Sequence, residues 1–253
     1  MFECPDIDYK LWCQRNVYYG DNPVDPGGLT HAKKGGLITT DFATIGELLN
    51  ELEDKIENYS FNNHSDEDLL YIFDLIQAWG GSNNRKPYQQ KAERMIAPES
   101  FCAKYKANMQ FLVNKNWTEY FNTKNVEILE QQKPKIPQVG LNFLSKHFYF
   151  WSKYLKLGRI FYIYDARNIA LFKSKNKKKL TYFEYLQAIE NKAQACGISG
   201  TDVEKGIFAF SKNYFNYSNN KLNVISNPEY SEDLAEAQLL VSWHTCLLCF
   251  ALL

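Results

Sequence analysis

Asp165 is the one acid between Lys133 and Lys179, a stretch that also holds twelve lysines and arginines. The segment therefore carries +11, and because the whole chain is formally neutral the remaining residues carry −11. Cations crowded among aromatics are the pattern that neutralises nucleic-acid phosphates and releases their counterions. A solvated Lys-rich surface produces the same pattern, most simply for the run at 173–179. Asp165 stands directly before an apolar helical spacing, Ala166, Ile169, Ala170 and Phe172, so its carboxylate suits an N-cap that accepts hydrogen bonds from the first free backbone N–H groups. A helix N-terminus also keeps a carboxylate ionised. With a lysine upstream and aromatics between, that makes Asp165 a candidate for chemistry as well as for capping.

The elements around this pair follow from local physics. Pro134 and Pro137 interrupt any helix and leave a short basic connection that ends at Gly140. A helix is predicted from about 139 to 156. At 100° per residue, Leu144, Phe148, Trp151 and Leu155 form one apolar stripe, while Asn142, Lys146, Tyr149 and Lys153 fall on the other side. Lys146 is thus expected to look away from the main core, toward solvent or a cleft. His147 adjoins the apolar stripe and reads as a core or boundary histidine. Tyr149, Phe150, Phe161, Tyr162 and Tyr164 offer faces on which a base could stack, but with seventeen Tyr, seventeen Phe and five Trp in the chain most aromatics must be core.

These residues resemble a family. IPQVG at 136–140 is similar to the hairpin of helix-hairpin-helix DNA glycosylases, usually written L-P-G-V-G. SKHFYFW…FYIYDAR at 145–167 resembles the lysine-to-aspartate stretch of their 8-oxoguanine glycosylase-like branch, with Lys146 and Asp165 nineteen positions apart. The resemblance implies a mainly α, two-lobed helical fold with a DNA-binding cleft between the lobes, and it places 134–180 at their junction. It implies Lys146 and Asp165 as the catalytic pair and Gln138, Val139, Gly140, Lys153 and Arg167 as DNA contacts. Tyr149, Phe150 and Tyr164 become candidates for stacking on an extruded base. One departure leaves the nucleophile open. Family enzymes with a lyase step usually carry the lysine two residues after the last hairpin glycine, and here that residue is Asn142, with Lys146 six after Gly140. Alignment through the lysine gives a Schiff-base enzyme, whereas alignment through the hairpin gives a monofunctional one that uses water.

The rest of the chain sets the class. At 253 residues and 45% hydrophobic content it can bury one large core or two joined lobes, so residues 1–253 are read as one unit. Cys4, Cys13, Cys102, Cys196, Cys246 and Cys249 form no compact framework, and no secretory leader is expected from MFECPDIDYK, which points to a reduced, cytoplasmic protein. Residues 1–41 are punctuated by Pro and Gly, Trp12, Tyr18 and Tyr19 are expected to tack that opening onto the core, and HAKKGG lacks the spacing of a phosphate loop. Helices are predicted from Thr44 (capped by Asp41 or Thr44), over 65–79 with Ser65 as cap, and over 98–114, 117–131, 181–195 and 230–251. A further helix at 200–214 takes Thr201 as its cap. Gly80 and Gly81 read as a left-handed stop to the second of these, followed by a polar loop, and Gly197 ends the helix at 181–195. NYSNNK and KLNVISNP suggest a loop or a small hairpin. HTCLLC in the last helix reads as packed core rather than a metal site, and the cysteines lack the spacing that would hold an iron–sulfur cluster. No metal and no cofactor are expected.

The function expected on the resemblance is a DNA glycosylase that flips out and excises a damaged or modified base, 8-oxoguanine-like or from foreign phage DNA, with an AP-lyase step if Lys146 forms a Schiff base. The expected partner is double-stranded DNA, bound by a monomer without a membrane. Two alternatives stand beside it: a non-catalytic DNA-binding module that uses the hairpin and basic segment for phosphates only, and a helical interaction protein.

Overall fold

A computed structural model describes residues 2–15, 42, 45–80, 98–131, 135–136, 139–174, 180–218 and 221–224. The opening beyond Arg15, Asp41 and Thr44, the polar loop after Gly81, Gln138, Lys175–Lys179 and the helix expected at 230–251 lie outside these residues. In chain order the elements are β1 (Phe2–Glu3), α1 (Tyr9–Gln14), α2 (Ile45–Glu57), α3 (Asp66–Trp79), α4 (Pro98–Val113), α5 (Trp117–Tyr120) and α6 (Thr123–Gln131). They continue with α7 (Leu141–Tyr154), α8 (Ala166–Ile169), β2 (Lys173–Ser174), α9 (Tyr182–Cys196), α10 (Gly200–Tyr214), β3 (Phe215–Ser218) and β4 (Lys221–Val224). The protein is mainly helical.

The chain divides into two compact units. A middle unit is made from Val17–Tyr164, and an end unit from Met1–Asn16 together with Asp165–Leu253. The chain passes from one to the other between Tyr164 and Asp165.

In the middle unit α7 is the central helix, packed against α2, α3 and α4. Its sequence explains that position. Leu144, Phe148 and Trp151 are fully buried, and so are Ser145, His147, Tyr149, Phe150 and Ser152. The helix expected to be two-sided from its periodicity is therefore buried around most of its circumference, Tyr149 of the expected outer face included, because three neighbouring helices cover it. Of the helical spacing Ile45, Leu48, Leu49, Leu52 and Ile56, α2 buries all but Leu49, which is half-buried. α3 begins in a capping box in which Ser65 accepts from the Asp68 N–H and the Asp68 carboxylate accepts from the Ser65 N–H. The helix expected over 117–131 is two helices. Asn116 caps α5, and the Asn122 side chain accepts from the Asn125 N–H at 3.0 Å, while Phe121 between them is extended. Asparagine side chains that offer the backbone a local partner end one helix and start the next.

In the end unit α10 is central, with α1, α8 and α9 packed on it. Trp12 of α1 is buried edge-on to Phe210, their ring centroids 5.3 Å apart, so the start of the chain is held by the same tryptophan expected to tack it down. Thr181 and Glu184 form a capping box for α9, and Gly197 ends it in the left-handed conformation at φ +63°. The cap of α10 is Ser199, whose hydroxyl accepts from the Asp202 N–H at 3.1 Å, rather than Thr201, which lies inside the helix. Two antiparallel ribbons complete the unit: β1 with β2, pairing Phe2 with Ser174, and the hairpin β3–β4, pairing Phe215 with Val224.

Candidate active site

Lys146 sits on the second turn of α7, and its amine does not project freely into solvent. Nζ donates to the Gly80 carbonyl at 3.3 Å and lies 5.4 Å from the centre of the Phe143 ring and 6.0 Å from that of Trp79. The lysine is half-buried, and its seat is the C-terminal end of α3. Gly80 itself is right-handed at φ −67° and ψ −4°, which corrects the left-handed stop expected there; Gly81 lies outside the described residues.

The register between α3 and α7 is held one residue further along. The Gln77 amide nitrogen lies 2.8 Å from His147 Nε2, the Tyr105 hydroxyl lies 2.9 Å from His147 Nδ1, and Trp151 Nε1 donates to that hydroxyl at 3.2 Å. His147 also stacks on Phe73 at 4.7 Å. It is fully buried, and burial, reinforced by the neighbouring Lys146 cation, pushes its pKa down to about 3. The imidazole is thus neutral at physiological pH and acts as a polar bolt joining α3, α4 and α7.

Beyond α7 the chain returns along the same helix. Ser152 accepts from the Phe161 N–H at 3.0 Å, and Ser145, two turns earlier, accepts from the Tyr164 N–H at 2.9 Å. Each hydroxyl also donates to the carbonyl three residues before it, Tyr149 and Asn142 respectively. The residue before Asp165 is thereby tied to the residue before Lys146. Replacing Ser145 by Ala strands the buried Tyr164 N–H and is expected to cost about 1–3 kcal/mol. Urea unfolding and hydrogen exchange at the Tyr164 amide measure this, and wild-type stability with wild-type protection would contradict it.

Asp165, the first residue of the end unit, caps α8: its carboxylate accepts from the Arg167 N–H at 2.8 Å. The short helix is anchored by Asn168, which is fully buried and donates to the equally buried Glu204 of α10 at 3.2 Å. Lys146 belongs to the middle unit. Among the other candidates, Val139 is buried, and its N–H donates to the carbonyl of the buried Ile136 at 3.4 Å. Gly140 is exposed and begins α7 with no side-chain cap, and among the described residues nothing beyond its chain neighbours stands within 4 Å of where a Cβ would be. Gln138 lies outside the described residues. Lys153 is exposed with its amine over the Tyr154 ring at 4.9 Å, and Arg167 is half-buried. Tyr149, Phe150 and Tyr164 are 1%, 2% and 7% exposed, so their faces are packed against protein. Trp79 and Phe143, beside the lysine, are half-buried.

Sequence reasoning read Gly80 only as a helix stop and missed Gln77, Ser145 and Ser152. The signal available for the serines was two hydroxyls seven residues apart in an otherwise apolar helix, since a buried hydroxyl requires a partner. The thiols of Cys4, Cys13 and Cys102 are poor nucleophiles: burial pushes them up to about 12, 11 and 12, helped at Cys13 and Cys102 by a neighbouring aspartate. Among the described residues no helix is long and apolar enough to cross a membrane.

No curated protein and no solved structure matches this chain. The profile of a family described as "Putative 8-oxoguanine DNA glycosylase OGG-like protein" matches residues 54–208, well over half of the chain and a span that includes Gly80, Lys146 and Asp165. The chain belongs to this OGG-like glycosylase family.

Proposed function

We propose that the protein is a DNA glycosylase with an associated lyase step, in which Lys146 is the nucleophile and Asp165 the essential carboxylate. The observation that carries the reading is the family match across 54–208, a span that contains the half-buried Lys146 and the helix-capping Asp165. A base inside a duplex shields its own glycosidic bond, so the target nucleotide is first rotated out of the stack. The neutral amine of Lys146 donates its electron pair to the sugar C1′. The C1′–N bond breaks, its electrons leave with the base, and the base takes up a proton. The amine then sheds a proton, the C1′–O4′ bond opens, and O4′ is protonated as the C=N bond of a Schiff base forms. The ionised Asp165 stabilises the positive charge that develops on the sugar.

Duplex DNA is held in this reading by the segment 136–140 and the uncapped start of α7, whose free N–H groups suit a phosphate, with Lys153 and Arg167 adding charge. Gln138 is assigned to the same contact. For the extruded base, the half-buried Trp79 and Phe143 are more accessible stacking partners than the buried Tyr149, Phe150 and Tyr164. A water-using, monofunctional enzyme is the second reading. It is favoured by Asn142 at the position that hairpin alignment gives to the lysine, where its buried Oδ1 has no hydrogen-bond partner among the described residues.

The test is borohydride reduction during incubation with duplexes carrying 8-oxoguanine, a modified cytosine of the kind found in phage DNA, or an abasic site. A covalent adduct on a base-containing duplex supports the bifunctional enzyme, and the duplex that reacts fastest names the substrate class and so separates repair from defence. Alkali-labile sites without an adduct support the water mechanism. Salt-sensitive binding with neither product sinks the enzymatic reading and favours a DNA-binding module.

A further inference from the structure

Gly80 adopts a backbone conformation open to any L-residue, at φ −67° and ψ −4°. Its glycine is therefore not required for a left-handed turn. What does require it is space. A Cβ built at Gly80 would stand 2.8 Å from Lys146 Nζ, closer than such atoms approach, and a tight 3.2 Å from Lys146 Cδ. The same residue offers its carbonyl to the amine at 3.3 Å. The side chain before it, Trp79, and Phe143 one turn back along α7 present ring faces to the same cation.

We infer that Gly80 is a positioning residue for Lys146: its bare Cα and its carbonyl, flanked by Trp79 and Phe143, form a seat that fixes where the amine rests. This rests on the lyase reading above, because the seat matters to reaction only if Lys146 reacts. A carbonyl oxygen attracts the ammonium, and aromatic faces do the same. The seat therefore restricts the amine to one resting place, and an amine displaced from it starts its approach to the sugar from the wrong position. The Gln77–His147 contact, three residues before Gly80 and one after Lys146, keeps carbonyl and amine in register. The atoms that a Cβ would strike are the far end of a flexible side chain and not backbone. Gly80→Ala consequently displaces the amine and leaves the packing of α3 on α7 in place.

The experiment compares wild type, Gly80→Ala and Lys146→Gln by three readouts: urea unfolding, the ¹H–¹³C signals of the Lys146 ε-methylene, and the rate of borohydride-trapped adduct on an abasic-site duplex between pH 5 and 9. The signal absent in Lys146→Gln identifies the lysine. The expected result is a wild-type ε-methylene displaced by ring currents, a Gly80→Ala signal returned toward that of a free lysine, and unchanged urea stability. Adduct formation in Gly80→Ala should be about tenfold to a hundredfold slower, since small misplacements of a nucleophile are costly, and its pH midpoint should move down as the cation loses its acceptor. A wild-type lysine signal already at the free position overturns the seat, and so does a Gly80→Ala protein that traps DNA at the wild-type rate with the wild-type pH profile. No adduct from wild type, with lysine signals that still respond to Gly80→Ala, overturns the lyase reading and the positioning role with it, while a responsive lysine distinguishes that result from failure of the seat itself.

Discussion

Lys146→Gln is expected to abolish the borohydride-trapped adduct, and Asp165→Asn to slow base release by about 10²–10⁴-fold. Glutamine retains much of the side-chain length of lysine and can still donate to the Gly80 carbonyl, yet it has no nucleophilic amine. The aspartate variant separates the capping role of Asp165 from its proposed catalytic one. Asparagine caps helices about as well as aspartate, so its Oδ1 still accepts from the Arg167 N–H, the contact that starts α8. Unfolding stability should then change by no more than about 0.5 kcal/mol while the negative charge is lost. Duplex affinity of Lys146→Gln should fall only modestly, by the one cation removed. Single-turnover assays on the reactive duplex, run beside binding titrations at two salt concentrations, measure all of this. If both variants release base at the wild-type rate, the catalytic assignment is wrong and the chemistry belongs elsewhere in the chain. If only the aspartate variant is impaired and wild type forms no adduct, water is the nucleophile.

The second large effect is on stability. His147→Ala is expected to destabilise the middle unit by about 3–5 kcal/mol at pH 7.5, because it empties a fully packed site and leaves Gln77 and Tyr105 without a shared partner. The same residue makes stability depend on pH. In the unfolded chain the imidazole takes up a proton near pH 6.5, but in the folded protein only near about 3. Between those values the unfolded state binds more protons, so the contribution of neutral His147 is fully present above pH 6.5. It is lost as pH falls, by up to about 1.4 kcal/mol per pH unit. Urea midpoints of wild type should therefore drop between pH 7 and 5, before most carboxylates titrate, and His147→Ala should show a flatter profile over that interval. Identical slopes in the two proteins would show that the imidazole is not held neutral.

The helices of both units were largely readable from local sequence. Ile45, Leu48, Leu52 and Ile56 recur at the helical period and are the residues that α2 buries. Ser65 with Asp68 announced the start of α3, and Gly197 the end of α9. Caps and amphipathic stripes are decided within a few residues, so short-range pattern suffices for them. Where two local signals competed, the reading failed: Asn122 split a predicted helix, and Ser199 displaced Thr201 as a cap.

The amino-acid sequence by itself determined the lysine and the aspartate, their spacing, the resemblance they carry, and the capping role of Asp165. Only the tertiary structure decided what surrounds them. Lys146 meets a carbonyl 66 residues earlier in the chain, His147 joins Gln77 to Tyr105, and Ser145 holds Tyr164, each a contact between segments with no local signature of one another. Periodicity reports which side of a helix is apolar, but not how many neighbours will cover it. α7 is buried around most of its circumference because three helices pack on it, and its lysine lies half-buried against Gly80, where a residue without a Cβ leaves it room.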